Sequence, residues 1–341
     1  MKLVIHPSIA LTILASALSA QLPSPAPEIA GKIEEENHYP NHEVTFANGV
    51  SGFSNLVYAQ PLGYRPLSLD LYLPPKTLPR ADAGHPLIVF LHGGGWMDGD
   101  PQRSGAFVDF PSVLASLAEK GYVVASIEYR LSGEAIFPAQ LQDAKAAIRW
   151  LRSQASLYGI DPSRAMAWGV AAGGHLAALL GVSCHVAALA SRSNASDPSD
   201  CVQGSVVWSG VFDMATIAVQ ARAAKALSRD TADAPEWRLL GCFAGQCQKG
   251  QLAAASPVTY LDPKDPPMLL IVGEEDKTIP ALQSLEMAEK LRAFNLPHEL
   301  IVIPEVGQGF IGKSLAKTRE ANLKALAATF RFINQTMNQE E

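Results

Sequence analysis

The sequence carries no excess of positive charge: 27 Lys and Arg stand against 33 Asp and Glu, a net charge of −6 over 341 residues. That excludes the basic face on which nucleic-acid binding depends, so no nucleic-acid partner is expected. Charged residues are few, at 18%, and hydrophobic ones make up 48%, the reverse of the balance that keeps a chain disordered. After the first 20 residues no apolar run is long enough to span a bilayer, so no membrane span is expected in a mature chain. Cysteine is scarce as well, with four residues, and no histidine pair sits at ligand spacing beside them, which argues against a bound metal. Nothing in the sequence calls for a cofactor.

What is present begins with "MKLVIHPSIALTILASALSA", a lysine, an apolar run and small residues at Ala17 to Ala20. This is the layout of a secretory signal peptide over residues 1–20, followed by a flexible leader over 21–40. Pro7 and the shortness of the run argue against a membrane anchor. A secreted or periplasmic chain meets an oxidising compartment, where an even number of cysteines implies disulfides. Three pairings are possible. The expected one joins neighbours, Cys184 with Cys201 and Cys242 with Cys247, because it closes two short loops.

From residue 41 to 341 the pattern is that of one domain. "NHEVTFANGV" and "LSLDLYLP" suit antiparallel edge strands, the second with Leu67, Leu69, Leu71 and Leu73 on one buried face. Then "PLIVFLH", "YVVASIEY", "RAMAWGV", "VQGSVVWSG", "PMLLIVG" and "HELIVIP" form short continuous apolar runs, as in strands covered on both faces. Helical stretches lie between them: Val113, Leu114, Leu117 and Ala118; "LQDAKAAIRWLRSQA"; Leu285, Ala288 and Leu291; and a long C-terminal segment. The alternation predicts an α/β fold with a mostly parallel, doubly wound sheet and flanking helices. Residues 214–256, which break the alternation, are the expected lid insertion.

Two glycine-rich turns carry the chemistry. "FLHGGGW" follows a buried strand, and its glycines let backbone N–H groups approach a ligand, as an oxyanion hole requires; Gly94 and Gly95 are the expected donors. Phosphate binding is disfavoured, since no "GK[ST]" follows and Asp98 and Asp100 add negative charge. "GVAAG", Gly169 to Gly173, has the strand-to-helix context and glycine spacing of a G-x-S-x-G nucleophile elbow, with the N–H of Ala172 as a further oxyanion donor. At Ala171, however, there is only a methyl group, which cannot attack a carbonyl. No other G-x-S-x-G or G-x-C-x-G occurs; Ser183 and Ser209 lack the elbow glycines.

From Leu67 to Phe332 the chain resembles the hormone-sensitive-lipase-like and feruloyl-esterase-like α/β-hydrolases, through "LHGGGW", "FPAQLQDAKAAIRWLR", "GIDPSRAMAWG", "AAGGHLAAL", "WSGVFD", "ASPVTYLDPKDPPMLLIVGEEDKTIP" and "PEVGQGF". The resemblance implies a triad with serine at position 171, the acid at Asp276 and histidine at position 308. Asp276 is present, whereas Gln308 stands where the base belongs. An amide can donate a hydrogen bond to Asp276 but cannot accept and return a proton near neutral pH. His92 and His175 match positions that are mainly structural in such enzymes, and His298 opens a strand at the end remote from catalysis. Arg130, Asp143 and Arg149 suit an ion-pair frame. His92, Gly93, Trp96 and Phe310 are candidates for lining the pocket.

The resemblance therefore implies a scaffold of carboxylic-ester hydrolysis that lacks nucleophile and base and is not an enzyme as written. Two origins fit, an inactivated variant of an exported esterase and a natural pseudoenzyme that binds a ligand or protein. An esterase working by another mechanism is the third reading. The expected partner is a small ester-like molecule in the former active site.

Overall fold

The continuous apolar runs form the middle of a single nine-stranded sheet in the computed structural model, which describes residues 43–79, 82–190, 197–243 and 245–338. The signal peptide and leader expected over 1–40 lie outside the described residues. In chain order the strands are β1 Glu43–Thr45, β2 Ser51–Ala59, β3 Leu67–Leu73, β4 His85–Leu91, β5 Val123–Ile127, β6 Ile160–Val170, β7 Ser205–Trp208, β8 Met268–Gly273 and β9 His298–Ile303. They lie side by side as β1-β2-β3-β5-β4-β6-β7-β8-β9. The pairs from β1 to β3, and β3 with β5, are antiparallel; every pair from β5 through β9 is parallel.

Burial explains this division. Every residue of β5, β7 and β8 is buried, as is β4 beyond His85, so helices must cover both faces there. The covering helices include Phe110–Ala118, Ala139–Ser153, Ala172–Val182, Leu282–Ala293 and Leu315–Met337. The helix Ala172–Val182 is buried at all its residues, which accounts for its alanines and glycines. The result is the α/β-hydrolase fold.

Two details differ from the sequence-based expectation. β2 was not anticipated, since its polar residues Ser51, Ser54 and Asn55 hide the strand pattern. In β3, Asp70 and Tyr72 are buried together with the leucines on the opposite face. Asp70 accepts hydrogen bonds from the Asn55 N–H at 3.0 Å and Gln102 Nε2 at 2.8 Å, and Tyr72 packs against Phe46, so the second face is covered by a loop and a hairpin.

The strand order places the site. The chain leaves β4 toward β5 on one side and later adds β6 on the other, and a crevice opens at such a switch point beyond the carboxyl ends of the strands. Leu91 pairs with Gly169 and Gly169 with Val207, so the turns after β4, β6 and β7 emerge as neighbours. Arg130 clamps Asp143, with Nε 2.8 Å from Oδ2 and Nη2 2.7 Å from Oδ1, below these turns. Arg149 instead pairs with Asp200 at 2.5 Å, joined there by the buried Lys145 at 3.0 Å. These charges serve as a frame.

Candidate active site

The turn after β6 has the conformation of a nucleophile elbow. Ala171 holds φ 53° and ψ −114° between the strand and the helix Ala172–Val182. An alanine in that region is strained, because its Cβ crowds the backbone. Two hydrogen bonds hold it: its N–H donates to Trp208 O at 2.8 Å, and the His175 N–H donates to its carbonyl at 2.9 Å. The flanking glycines are enforced by close approach. A Cβ on Gly169 would lie 2.1 Å from Gly173 O, and one on Gly173 would lie 2.1 Å from Leu91 O.

The turn after β4 runs across this elbow. A Cβ on Gly93 would stand 3.5 Å from the Ala171 methyl. Gly94 needs its φ of 109°, and a side chain there would run into Asp98 O. Gly94 O accepts from the N–H groups of Met97 and Asp98, which tightens the loop. The N–H groups of Gly93, Gly94 and Gly95 have no hydrogen-bond partner among the described residues. Ala172 is the first residue of its helix, where no intrahelical acceptor exists for its N–H. Of the donors expected from the sequence, Gly94 lines the same cavity as Ala171, and Gly95 and Ala172 are the next residues in the chain after these two. His92 stacks on Tyr129 at 4.3 Å and receives the Tyr129 hydroxyl on its carbonyl at 2.8 Å. Burial pushes its pKa down, so it stays neutral and structural.

Asp276 lies in the turn after β8 and is buried. Its Oδ1 accepts from the N–H groups of Thr278 and Ile279 at 2.8 and 2.9 Å. Gln308 faces it from the turn after β9. A carboxylate only accepts, so the amide NH2 must be the end turned toward it; Nε2 then donates at 2.6 Å to Oδ2 and 3.2 Å to Oδ1. Burial raises the Asp276 pKa, opposed by the Ile279 and Thr278 N–H groups, the Ser209 hydroxyl and the positive charge of Arg229. That charge belongs to residues 214–256. Arg229 pairs with the buried Glu236 at 2.9 Å and donates to Thr278 O at 2.5 Å, while the Leu227 N–H donates to Lys277 O. The insertion therefore braces the Asp276 turn.

Ala171, Gln308, His92, Gly93 and Gly94 line one cavity of about 800 Å³. The loop 98–108 lines it as well, through residues including Asp98, Asp100, Ser104 and Phe107. Three features depart from the sequence-based expectation. Trp96 and Phe310 do not line it: both have positive φ, 57° and 55°, and turn into the core, Trp96 edge-on to His175 and Phe310 edge-on to Trp208. The insertion contributes no lining residue; its helices Ile217–Ala223, Pro235–Leu240 and Lys249–Ala254 follow β7, and Pro235 lies over Gly95. The loop 98–108 was missed as a wall. Its signal was the polar, Gly- and Pro-punctuated run between the glycine turn and the first long helix.

Among the described residues, His175, His298 and Ser209 do not line the cavity. His175 is fully buried, with Nε2 2.7 Å from Ala255 O, and His298 bonds its own turn at Leu296 O. Ser209, 2% exposed, follows β7 without an elbow helix behind it. The cysteines pair as neighbours, Cys184 with Cys201 and Cys242 with Cys247.

Comparison with known proteins agrees with this architecture. The BD-FAE family matches residues 69–291, and the dienelactone hydrolase family matches residues 249–337. Esterase LipC of Mycobacterium tuberculosis is 30% identical over 241 residues, 69% of this chain and 55% of its own length. Esterase LipQ of the same organism is 28% identical over 234 residues, 67% of this chain and 51% of its own. The chain thus spans about half the length of these relatives. Among solved structures, a truncated carbohydrate esterase from gut microbiota superposes with a TM-score of 0.69 at 26% identity, covering 86% of this chain and 99% of that one.

Proposed function

The chain belongs to the BD-FAE family of α/β-hydrolase esterases, and from that premise we propose that it is an esterase scaffold without acyl-transfer activity, whose cavity binds a small ester-like ligand. One observation carries the reading: a strained elbow presents a methyl group, and the amide of Gln308 occupies the hydrogen-bonding position toward Asp276 that a catalytic imidazole would take. Serine attack needs a hydroxyl at 171 and a base at 308. Neither is there. The remaining N–H donors can polarise a bound carbonyl, but with triad members removed such a site keeps only roughly 10³–10⁴ over water.

Retention of ligand binding is supported by what has not been lost. The cavity is open and lined by unpartnered N–H groups, and the loops around it are held by specific bonds. The two disulfides support an exported protein that matures in an oxidising compartment.

The test uses the purified chain. A fluorophosphonate probe should leave the peptide containing Ala171 unlabelled, p-nitrophenyl acetate should be hydrolysed at background rate, and ligand-observed NMR should detect binding of propyl acetate in the millimolar range. Stoichiometric labelling in the cavity would overturn the loss of activity, and absence of ligand binding would overturn the receptor reading.

A further inference from the structure

We propose that this cavity prefers secondary carboxamides to esters. The inference rests on the reading that the cavity binds acyl ligands, and adds the chemical class. It starts from the two ends of the Gln308 amide. The donor end is committed to Asp276 through Nε2 at 2.6 Å. The acceptor end, Oε1, is therefore turned away from Asp276, and Gln308 lines the cavity beside Ala171, Gly93 and Gly94. An amide oxygen accepts and never donates.

In an esterase of this family plan, the acceptor at position 308 faces a serine hydroxyl, which satisfies it. Here position 171 is an alanine lining the same cavity, and its methyl donates nothing. The two substitutions act together: they replace a nucleophile and base by a methyl group and an amide acceptor lining one cavity. In the same cavity the N–H groups of Gly93 and Gly94 are donors without partners among the described residues.

A ligand that meets both must offer a carbonyl oxygen to the glycine donors and, one bond away, an N–H to Gln308 Oε1. A secondary amide has that arrangement in its planar group. An ester has the same shape, but places oxygen lone pairs where the N–H would be, so Oε1 stays unsatisfied and meets another acceptor. Free carboxylates suit the cavity less, because Asp98 and Asp100 line it too, and among the described residues the ion pair they make is Arg103 with Asp100 at 3.6 Å.

A net neutral hydrogen bond corresponds to about a 3- to 10-fold gain in affinity. The test compares N-propylacetamide, propyl acetate and N-methyl-N-propylacetamide by ligand-observed NMR titration of the full chain. Expected is an amide-over-ester ratio of at least about 3, lost when the amide nitrogen is methylated, and falling below about 2 in Gln308→Met. The ratio is read within each protein, so a change in absolute affinity does not disturb it, and the methylated ligand tests the same contact on the unchanged chain. Equal binding of amide and ester would overturn the amide preference while leaving the acyl-ligand site standing. A preference that survives both N-methylation and Gln308→Met would overturn the role of Gln308. Binding of none of the three would overturn the ligand site and this proposal with it.

Discussion

The side-chain nitrogen of Gln308 donates to both oxygens of the Asp276 carboxylate, at 2.6 and 3.2 Å. This bond keeps a buried charge satisfied on the side that the Thr278 and Ile279 N–H groups do not reach. Gln308→Leu would take from Oδ2 its amide donor, at a cost of about 1–3 kcal/mol in folding stability near neutral pH. The sign of its pH dependence follows from the raised pKa of Asp276. A carboxyl held above its unfolded value favours folding below that value and loses the benefit as pH rises through the folded pKa. Removing the amide raises the pKa further, so the penalty of Gln308→Leu should be larger at pH 7 than at pH 4. Urea denaturation of both proteins at the two pH values checks this, and an equal penalty would contradict it.

The elbow glycines offer a steric prediction. Gly169→Ala and Gly173→Ala each push a Cβ to 2.1 Å from a backbone oxygen, which no rotamer change relieves. Each should cost about 3 kcal/mol or more, or prevent folding. Gly133 and Gly250 have no neighbouring atom within 4 Å of a Cβ and no positive φ, so Gly133→Ala and Gly250→Ala should stay within about 0.5 kcal/mol of the parent. Thermal melts of the four variants separate the two classes.

His175 supplies a second pH effect of opposite sign. Burial lowers its pKa from the usual 6.5 to about 4, against the opposing bond to Ala255 O. Between these values the unfolded chain takes up a proton that the folded chain refuses, so stability is complete above 6.5 and falls as pH drops toward 4. The shift corresponds to about 3 kcal/mol. Comparing His175→Leu with the parent at pH 7 and pH 4.5 isolates this group. The parent should lose about 2–3 kcal/mol more than the variant over that interval, and parallel losses would refute the assignment.

How much of this was legible in the sequence depends on what each residue touches. The parallel strands were, because burial on both faces leaves an unbroken apolar run such as "PLIVFLH". The elbow was, because only glycine tolerates the 2.1 Å approaches at 169 and 173, and those letters remain when the nucleophile does not. The disulfides were, since their loops are short, with separations of 17 and 5 residues. β2 was not, because Ser51 is covered by pairing with Thr45 and Leu73 and the strand breaks register between Phe53 and Leu56, features that periodicity does not encode. Nor were the orientations of Trp96 and Phe310, each set by a positive φ that a sequence pattern leaves open at a non-glycine residue. The loop 98–108 becomes a cavity wall only through folding back toward Gly309, against which Gly105 lies.

Restoring the missing pair tests the site as a unit. The elbow already holds the strained conformation, and the N–H donors of the glycine turn are in place. Ala171→Ser adds a hydroxyl with no base to take its proton. Gln308→His adds an imidazole beside Asp276 with nothing to activate. Because residues of a triad act together, their effects are far from additive. Each single change should leave p-nitrophenyl acetate hydrolysis near background, whereas Ala171→Ser with Gln308→His should raise it by at least about 10², a modest part of the roughly 10⁶ that a complete triad contributes. The double variant should also take up a fluorophosphonate at position 171, which the singles do not. The strain at position 171 gives the result its meaning. A chain that keeps φ 53° at an alanine retains the elbow geometry the nucleophile requires. If the double variant melts like the parent and still fails on acetyl, butyryl and feruloyl esters, the loss of activity extends beyond the two residues, and a natural ligand-binding role gains over an inactivated esterase.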